Sequence, residues 1–258
     1  MAPGVQITCP RPKMSSGYYA ACAGLMSRTQ ALDTIANNLA NVSTTGFRAS
    51  HNIFSSLLAT TGDSPLSALN QDANEYGLLT GTQLDATQGA LVPTANDLDL
   101  AIEGPGYFSV QTAAGTAYTR AGNFRVSPQG QLITAAGDPV MGNGGPITVV
   151  GEPVSISPDG TISVNGAIAG QLKTVEFPAG VALQSAGGTY YTAPAGTAVA
   201  SSKSQVRQGM LESSNVNPVT SVVELVQAQR EVETMRRALT MFSSEIDKTA
   251  AQDLPRVG

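Results

Sequence analysis

Apolar residues near both ends of the chain recur at alternating steps of four and three. Over residues 15–45 the stripe runs through Tyr18, Cys22, Leu25, Thr29, Leu32, Ala36 and Leu39, and Ile35 and Val42 widen it. Toward the other end Leu225, Ala228, Val232, Met235, Leu239, Phe242 and Ile246 keep the same alternation without a break. That period belongs to a heptad seam, so it predicts a long helix at each end of the chain, each of about thirty residues and about 45 Å. Asn217 followed by Pro218 marks the start of the second helix, because asparagine caps unpaired N–H groups and proline fits the first helical position. Gly46, just past the first helix, suits a left-handed C-terminal cap. A seam this narrow cannot make a globular core, and such helices draw their stability mainly from what they pack against. The pattern therefore favours termini that order by bundling with other subunits. The plainer alternative is a helix pair packed on its own domain.

Three asparagines, Asn37, Asn38 and Asn41, occupy the closing turns of the first helix, where asparagine is a poor helix former. Their spacing projects at least two of them from one side. They are expected to bond to neighbouring helices or to the turn at 43–46 and so fix register, as a buried polar residue does in coiled coils. Simple capping by Asn41 is the competing expectation.

Between the helices the period changes to two. In NDLDLAIEG, Leu98, Leu100 and Ile102 alternate with Asp97, Asp99 and Ala101, the signature of a half-buried strand. Further strands are expected at 107–110, 116–120, 123–126 and 131–134. VSPQGQL (126–132) and ISPDGTI (156–162) share an apolar, Ser-Pro-x-Gly, x, apolar pattern. Proline presets the turn and glycine supplies the positive φ, so these read as two hairpins in one sheet system. The fold class is therefore α+β, long terminal helices pairing in a coiled-coil-like bundle with a mainly antiparallel β-domain inserted between them. The expected boundaries are a disordered leader at 1–13, an N-terminal helical half at 14–58, an extended connector at 59–96, the β-domain at 97–204, a C-terminal helical half at 205–250 and a tail at 251–258.

Composition narrows the chemistry. Charged residues are 13% of the chain, about half the roughly 25% usual for soluble domains, and neither 104–119 nor 177–202 contains one. Low charge suits surfaces that partners cover. The net charge of -5 comes without a Lys/Arg cluster, so the footprint of a nucleic-acid binder is missing. No run reaches the roughly 18 apolar residues of a membrane-spanning helix, and the N-terminus lacks the layout of a cleaved signal peptide. Cys9 and Cys22 do not make a disulfide framework and read as thiols.

No catalytic set stands out. His51 is the single histidine, which excludes a multi-histidine metal site, and it is expected to be solvated. Asp97 and Asp99 share one strand face opposite the leucines and read as a solvated polar face rather than a glycosidase pair. GPGYFS lacks the helix that a dinucleotide fingerprint needs, and MGNGG (141–145) reads as a loop.

Longer blocks carry a family resemblance. ALDTIANNLANVSTTGFRA (31–49) closely resembles the N-terminal signature of the bacterial flagellar axial proteins, the family of rod, hook and hook-associated subunits. DLDLAIEGPGYFSV (97–110), AYTRAGNFRVSPQGQLITAAGDPVMG (117–142) and QVRQGMLESSNVNPVTSVVELVQAQREVE (205–233) are similar, in the same order, to successive blocks of the rod proteins in particular. The match runs from about 14 to 248 and leaves out the leader.

The resemblance implies a non-enzymatic building block of the basal-body rod, its terminal helices bundled in the inner layer of a helical tube and its β-domain outside. On this sequence the interface would fall on Leu25, Leu32, Ile35, Leu39, Asn37, Asn38, Asn41, Leu225, Val232, Met235, Leu239, Phe242 and Ile246. The implied partners are copies of itself, other rod proteins, the hook protein and the flagellar type III export apparatus. Nucleic acid, membrane insertion, small-molecule substrate and cofactor are not implied. Export would need no cleaved signal, and the location would be the rod crossing the periplasm. Chain length leaves the proximal and the distal rod subunit as candidates, and ESSNVNPV with the connector after TGFRAS favours the proximal. A carbohydrate-active enzyme is disfavoured by the absence of Trp and 5% aromatics. A secreted adhesin or effector module is the remaining alternative.

Overall fold

The computed structural model describes residues 16–55, 78–178, 181–194, 196–197, 200–201 and 203–253. The leader expected at 1–13, the middle of the expected connector and most of the tail lie outside them. Helix α1 spans Ser16–Ala40 and helix α2 spans Pro218–Asp253. The strands between are β1 (Ser50–Ser55), β2 (Leu78–Leu84), β3 (Leu91–Pro93), β4 (Leu100–Glu103), β5 (Tyr107–Thr112), β6 (Gly115–Thr119), β7 (Arg125–Val126), β8 (Leu132–Ile133), β9 (Met141–Gly142) and β10 (Gly145–Pro146). They continue as β11 (Val154–Ile156), β12 (Thr161–Val164), β13 (Ala167–Gln171), β14 (Thr174–Glu176), β15 (Gln184–Gly187), β16 (Tyr190–Thr192), β17 (Ala200–Ser201), β18 (Gln205–Gln208) and β19 (Met210–Glu212). This is the α+β arrangement of two terminal helices around an antiparallel β-region.

The chain forms two compact units. One gathers Asn37–His51 and the described residues of Thr82–Ser221, the other α1 up to Ala36, the described residues 52–55 and 78–81, and α2 from Val222 onward. In the β-unit a six-stranded sheet runs in the order β15-β16-β6-β5-β14-β17, beside a three-stranded sheet β11-β12-β13 and several two-stranded ladders. Its core joins Leu100, Ile102, Phe108, Val110, Phe124, Leu132, Val140 and Ile162. The Phe108 and Phe124 rings meet edge to face at 5.1 Å, the arrangement that ring quadrupoles favour. A smaller cluster holds Tyr107, Val175, Leu183 and Tyr191.

The two Ser-Pro-x-Gly segments close hairpins β7–β8 and β11–β12, with Gly130 at φ 77° and Gly160 at φ 82°. Their turns repeat one bonding pattern: the glycine N–H donates to the serine carbonyl at 2.8 and 2.9 Å. They do not share a sheet, however, because β7–β8 stands alone while β12 continues to β13. MGNGG is a tight hairpin, β9 to β10, rather than a loop.

Strands occur inside two of the expected segments. β2 and β3 lie within the stretch expected as connector, and β3 pairs with β19 near the other end of the β-unit. The stretch expected as C-terminal helical half begins with β18 and β19, since β18 pairs with β4 and supplies the buried Val206. The helix starts at Pro218, as the Asn217–Pro218 pair predicts, and Asn217 Oδ1 accepts the N–H groups of Val219 at 3.0 Å and Thr220 at 3.2 Å. The acidic pair also divides: Asp97 is exposed, whereas Asp99 is buried with Asn96 Nδ2 donating to Oδ1 at 2.9 Å. The strand begins at Leu100, two residues after the Leu98 with which the apolar alternation starts, so Asp99 closes a turn instead of facing water.

Candidate assembly site at the roots of the terminal helices

On α2 the seam positions are set apart by burial. Leu225, Ala228, Val232 and Met235 are half-buried and Leu239 is buried, while the residues between them are exposed except Ala238. The side chains of Phe242 and Ile246 lie outside the described ones. On α1, Leu25 is buried and Leu32, Ile35 and Leu39 are half-buried. Arg28 Nη1 and Glu231 Oε2, both exposed, form an ion pair at 3.0 Å between the two helices.

Two of the asparagines bond within the chain. Asn38 is buried and grips the backbone of Ser50 twice, its Nδ2 donating to the carbonyl at 2.8 Å and its Oδ1 accepting the N–H at 2.9 Å. Asn41 Nδ2 donates to the Asn37 carbonyl at 2.9 Å, and its Oδ1 accepts the Thr44 hydroxyl at 3.2 Å. Asn41 therefore closes the helix end, and Asn37 stays exposed. Gly46 does adopt φ 68°, but six residues past the helix, where its backbone N–H donates to the Glu212 carbonyl at 2.7 Å. His51 is exposed, with Nε2 3.9 Å from Asp85 Oδ2. Burial would raise the Asp85 carboxyl, but the Thr87 bonds, His51 and Arg48 outweigh it and leave it below the ordinary aspartate value.

The most heavily charged interior point was not visible in the residue pattern. Arg48, Arg120 and Glu212 have 1%, 2% and 1% of their surface exposed. Glu212 Oε1 lies 2.8 Å from Arg48 Nη2, and Oε2 lies 3.0 Å from Arg120 Nη1. Two guanidinium groups thus share one carboxylate. Arg120 has further acceptors in the Ile102 carbonyl at 3.3 Å and the Gly104 carbonyl at 2.6 Å, and its guanidinium stands 4.9 Å from the Tyr107 ring centre. Burial pulls the Arg120 pKa below its ordinary value, and Glu212 opposes that shift. Tyr191 accepts the Arg48 backbone N–H at 3.0 Å, and burial pushes its phenol up to about 12. Among the described residues no cluster of His, Cys, Asp and Glu is arranged to hold a metal ion.

Three segments match family models. Residues 19–48 match that of the flagella basal body rod protein, 101–164 the flagellar hook protein FlgE/F/G D1 domain and 207–252 the flagellar basal body rod FlgEFG protein C-terminal region. The rod protein FlgF of Caulobacter vibrioides is 32% identical over 249 residues, covering 95% of this chain and all of that protein. FlgG of Bacillus subtilis is 33% identical over 88% of the chain and 95% of its own length. FlgF of Salmonella typhimurium is 34% identical over 88% and 94%. The chain belongs to the flagellar basal-body rod protein family. These relatives are structural proteins of the rod, not enzymes. One residue of the buried triad falls in each of the three matched segments, Arg48 in the first, Arg120 in the second and Glu212 in the third.

Proposed function

We propose that this rod-family protein is a structural subunit that polymerises through its terminal helices into the drive shaft carrying torque to the hook. The observation that carries this reading is the stripe at 225, 228, 232, 235 and 239, a seam too narrow to be a core of its own. With the α1 positions Leu25, Leu32, Ile35 and Leu39 and the later Phe242 and Ile246, it would supply the coiled-coil-like inner layer. Asn37, left exposed, is available to a neighbouring copy. Head-to-tail repetition of one interface gives an open helical polymer when rotation does not close a ring. The partners are copies of the chain, other rod proteins, the hook protein and, on the way out, the type III export apparatus. Among the described residues no helix is long and apolar enough to cross a membrane, in keeping with a periplasmic rod.

The proximal position is the finer proposal. It rests on ESSNVNPV and on the segment after TGFRAS, while relatives named FlgF and FlgG match this chain at similar identity and coverage. Immunogold labelling of an epitope-tagged copy on isolated hook–basal bodies tests both levels. Label on the rod near the inner-membrane end supports the proximal subunit, and label near the hook supports the distal one. Intact flagella with the protein expressed but unlabelled would reject the rod role and bring the adhesin or effector reading forward.

A further inference from the structure

Residues 42–50, the root of the N-terminal helix, have few hydrogen bonds to the rest of the β-unit that do not depend on residues 212–216. Gly46 N–H donates to the Glu212 carbonyl at 2.7 Å, Ala49 N–H to Asn215 Oδ1 at 2.7 Å, and Asn215 N–H to the Phe47 carbonyl at 3.4 Å. Phe47 and Ala49 pack with Val216, and Arg48 pairs with Glu212. The other acceptors and donors come chiefly from 85–89: the Ala86 carbonyl takes Arg48 Nη1 at 3.3 Å, and Asp85 N–H donates to the Ala49 carbonyl at 2.8 Å. That segment is itself held by the same two residues. Asn215 Nδ2 donates to the carbonyls of Asp85 at 3.3 Å and Thr87 at 3.1 Å, and Glu212 Oε1 accepts the Gly89 N–H at 3.1 Å. Apart from the helix end itself, where Asn38 holds Ser50 and Asn41 holds Thr44, Tyr191 is the bonding partner of the root that stands outside this set.

The charges make the dependence one-sided. Arg120 keeps two carbonyls and the Tyr107 ring if Glu212 is withdrawn. Arg48 keeps only the Ala86 carbonyl, in a buried site beside a second cation, where an unpaired charge is strongly disfavoured. Arg48 is therefore the group that leaves, and residues 46–49 leave with it.

We infer that Glu212 and Asn215 form a clasp: the N-terminal root docks on the β-unit only once 212–216 are seated, so the segments leading into the two terminal helices lock together. A chain emerging N-terminus first then holds its N-terminal root undocked until its last part has followed. This holds whatever the arms later polymerise with.

Amide hydrogen exchange on the full-length protein and on Glu212→Gln and Asn215→Ala variants tests the clasp. In both variants the amides of Gly46 and Ala49 should exchange roughly ten-fold faster or more and lose most of their protection, while those of Leu132 and Val140 in the core stay protected, falling by no more than the loss of global stability. Asn215→Ala removes no charge, so it keeps the test open if Glu212→Gln does not fold. Unchanged protection at Gly46 and Ala49, or amides there that remain as slow to exchange as those of Leu132 and Val140, would overturn the inference.

Discussion

Arg48 and Glu212 meet at 2.8 Å as fully buried partners, one just after the N-terminal helix and the other just before the C-terminal one. Removing one member of a buried ion pair costs about 3–5 kcal/mol, because the remaining charge cannot recover its hydration, whereas replacing the whole set by apolar groups of similar volume is often close to neutral. Glu212→Gln should therefore lower unfolding stability by about 3–5 kcal/mol. The triple change Arg48→Met, Arg120→Met, Glu212→Leu should cost clearly less, as measured by urea unfolding followed by circular dichroism. A triple variant less stable than Glu212→Gln would show that the carbonyl bonds of Arg120 matter more than the charge balance.

Tyr191 gives the β-unit a weakness at alkaline pH. Its folded pKa is raised to about 12 by burial, against the ordinary 10.0, so between these values the unfolded chain releases the phenolic proton while the folded one retains it. The stability tied to this proton is complete below pH 10 and declines as pH rises through about 12. It amounts to about 2–3 kcal/mol for a two-unit shift. Tyr191→Phe should make this decline shallower, and what remains is the share of Tyr190, whose phenol burial also raises to about 12, and of Tyr118, which burial raises too. At neutral pH the variant should lose about 1–3 kcal/mol, since the Arg48 N–H is left without its acceptor. Urea midpoints measured at pH 7, 10 and 11.5 decide the matter, and an unchanged alkaline slope would point to another group.

Gly46 is held for two reasons that a control can separate. Its φ is +68°, and a Cβ there would come within 2.3 Å of the Ala121 nitrogen and the Arg120 carbonyl carbon. Gly166, in the β12–β13 turn, has φ +80° with nothing within 4 Å. Alanine at Gly166 should cost only the left-handed penalty of about 1–2 kcal/mol. At Gly46 a further cost of about 1–3 kcal/mol follows, because backbone must move to make room. Equal effects on the melting temperature would mean that residues 120–121 yield freely.

These elements differ in how much of them the sequence could show. The Ser-Pro-x-Gly turns and the Asn217–Pro218 helix start were legible because the residues that enforce them are neighbours in the chain. The seam at 225–239 was legible for the same reason, its period being a property of one helix. The triad was not. No local pattern marks a buried arginine whose partner lies far along the chain, and the alternation around Phe47, Arg48 and Ala49 says nothing of Glu212. Asp99 escaped likewise, since its burial depends on a turn bond from Asn96 that alternation ignores. The pairing of β18 with β4 and of β19 with β3 sets long stretches of chain aside, and this puts strands inside the segment expected from 205.

The seam itself yields the sharpest functional expectation. Leu239 is the most buried of the described seam positions on α2, and Leu32 is half-buried on α1. A carboxylate at either place would have to be desolvated when the helices bundle, which is strongly unfavourable without a cation to meet it. Leu239→Asp and Leu32→Asp should therefore abolish swimming in soft agar. The β-unit should stay folded in both, because neither residue contributes to its core, and its resistance to limited proteolysis should match that of the parent protein. Thr234→Asp, on the exposed side of the same helix, should leave motility within about two-fold, as surface changes away from contacts usually do. Motile cells carrying Leu239→Asp at normal protein levels would remove the seam from the assembly interface and leave the exposed valines Val219, Val222, Val223 and Val226 as the next surface to test.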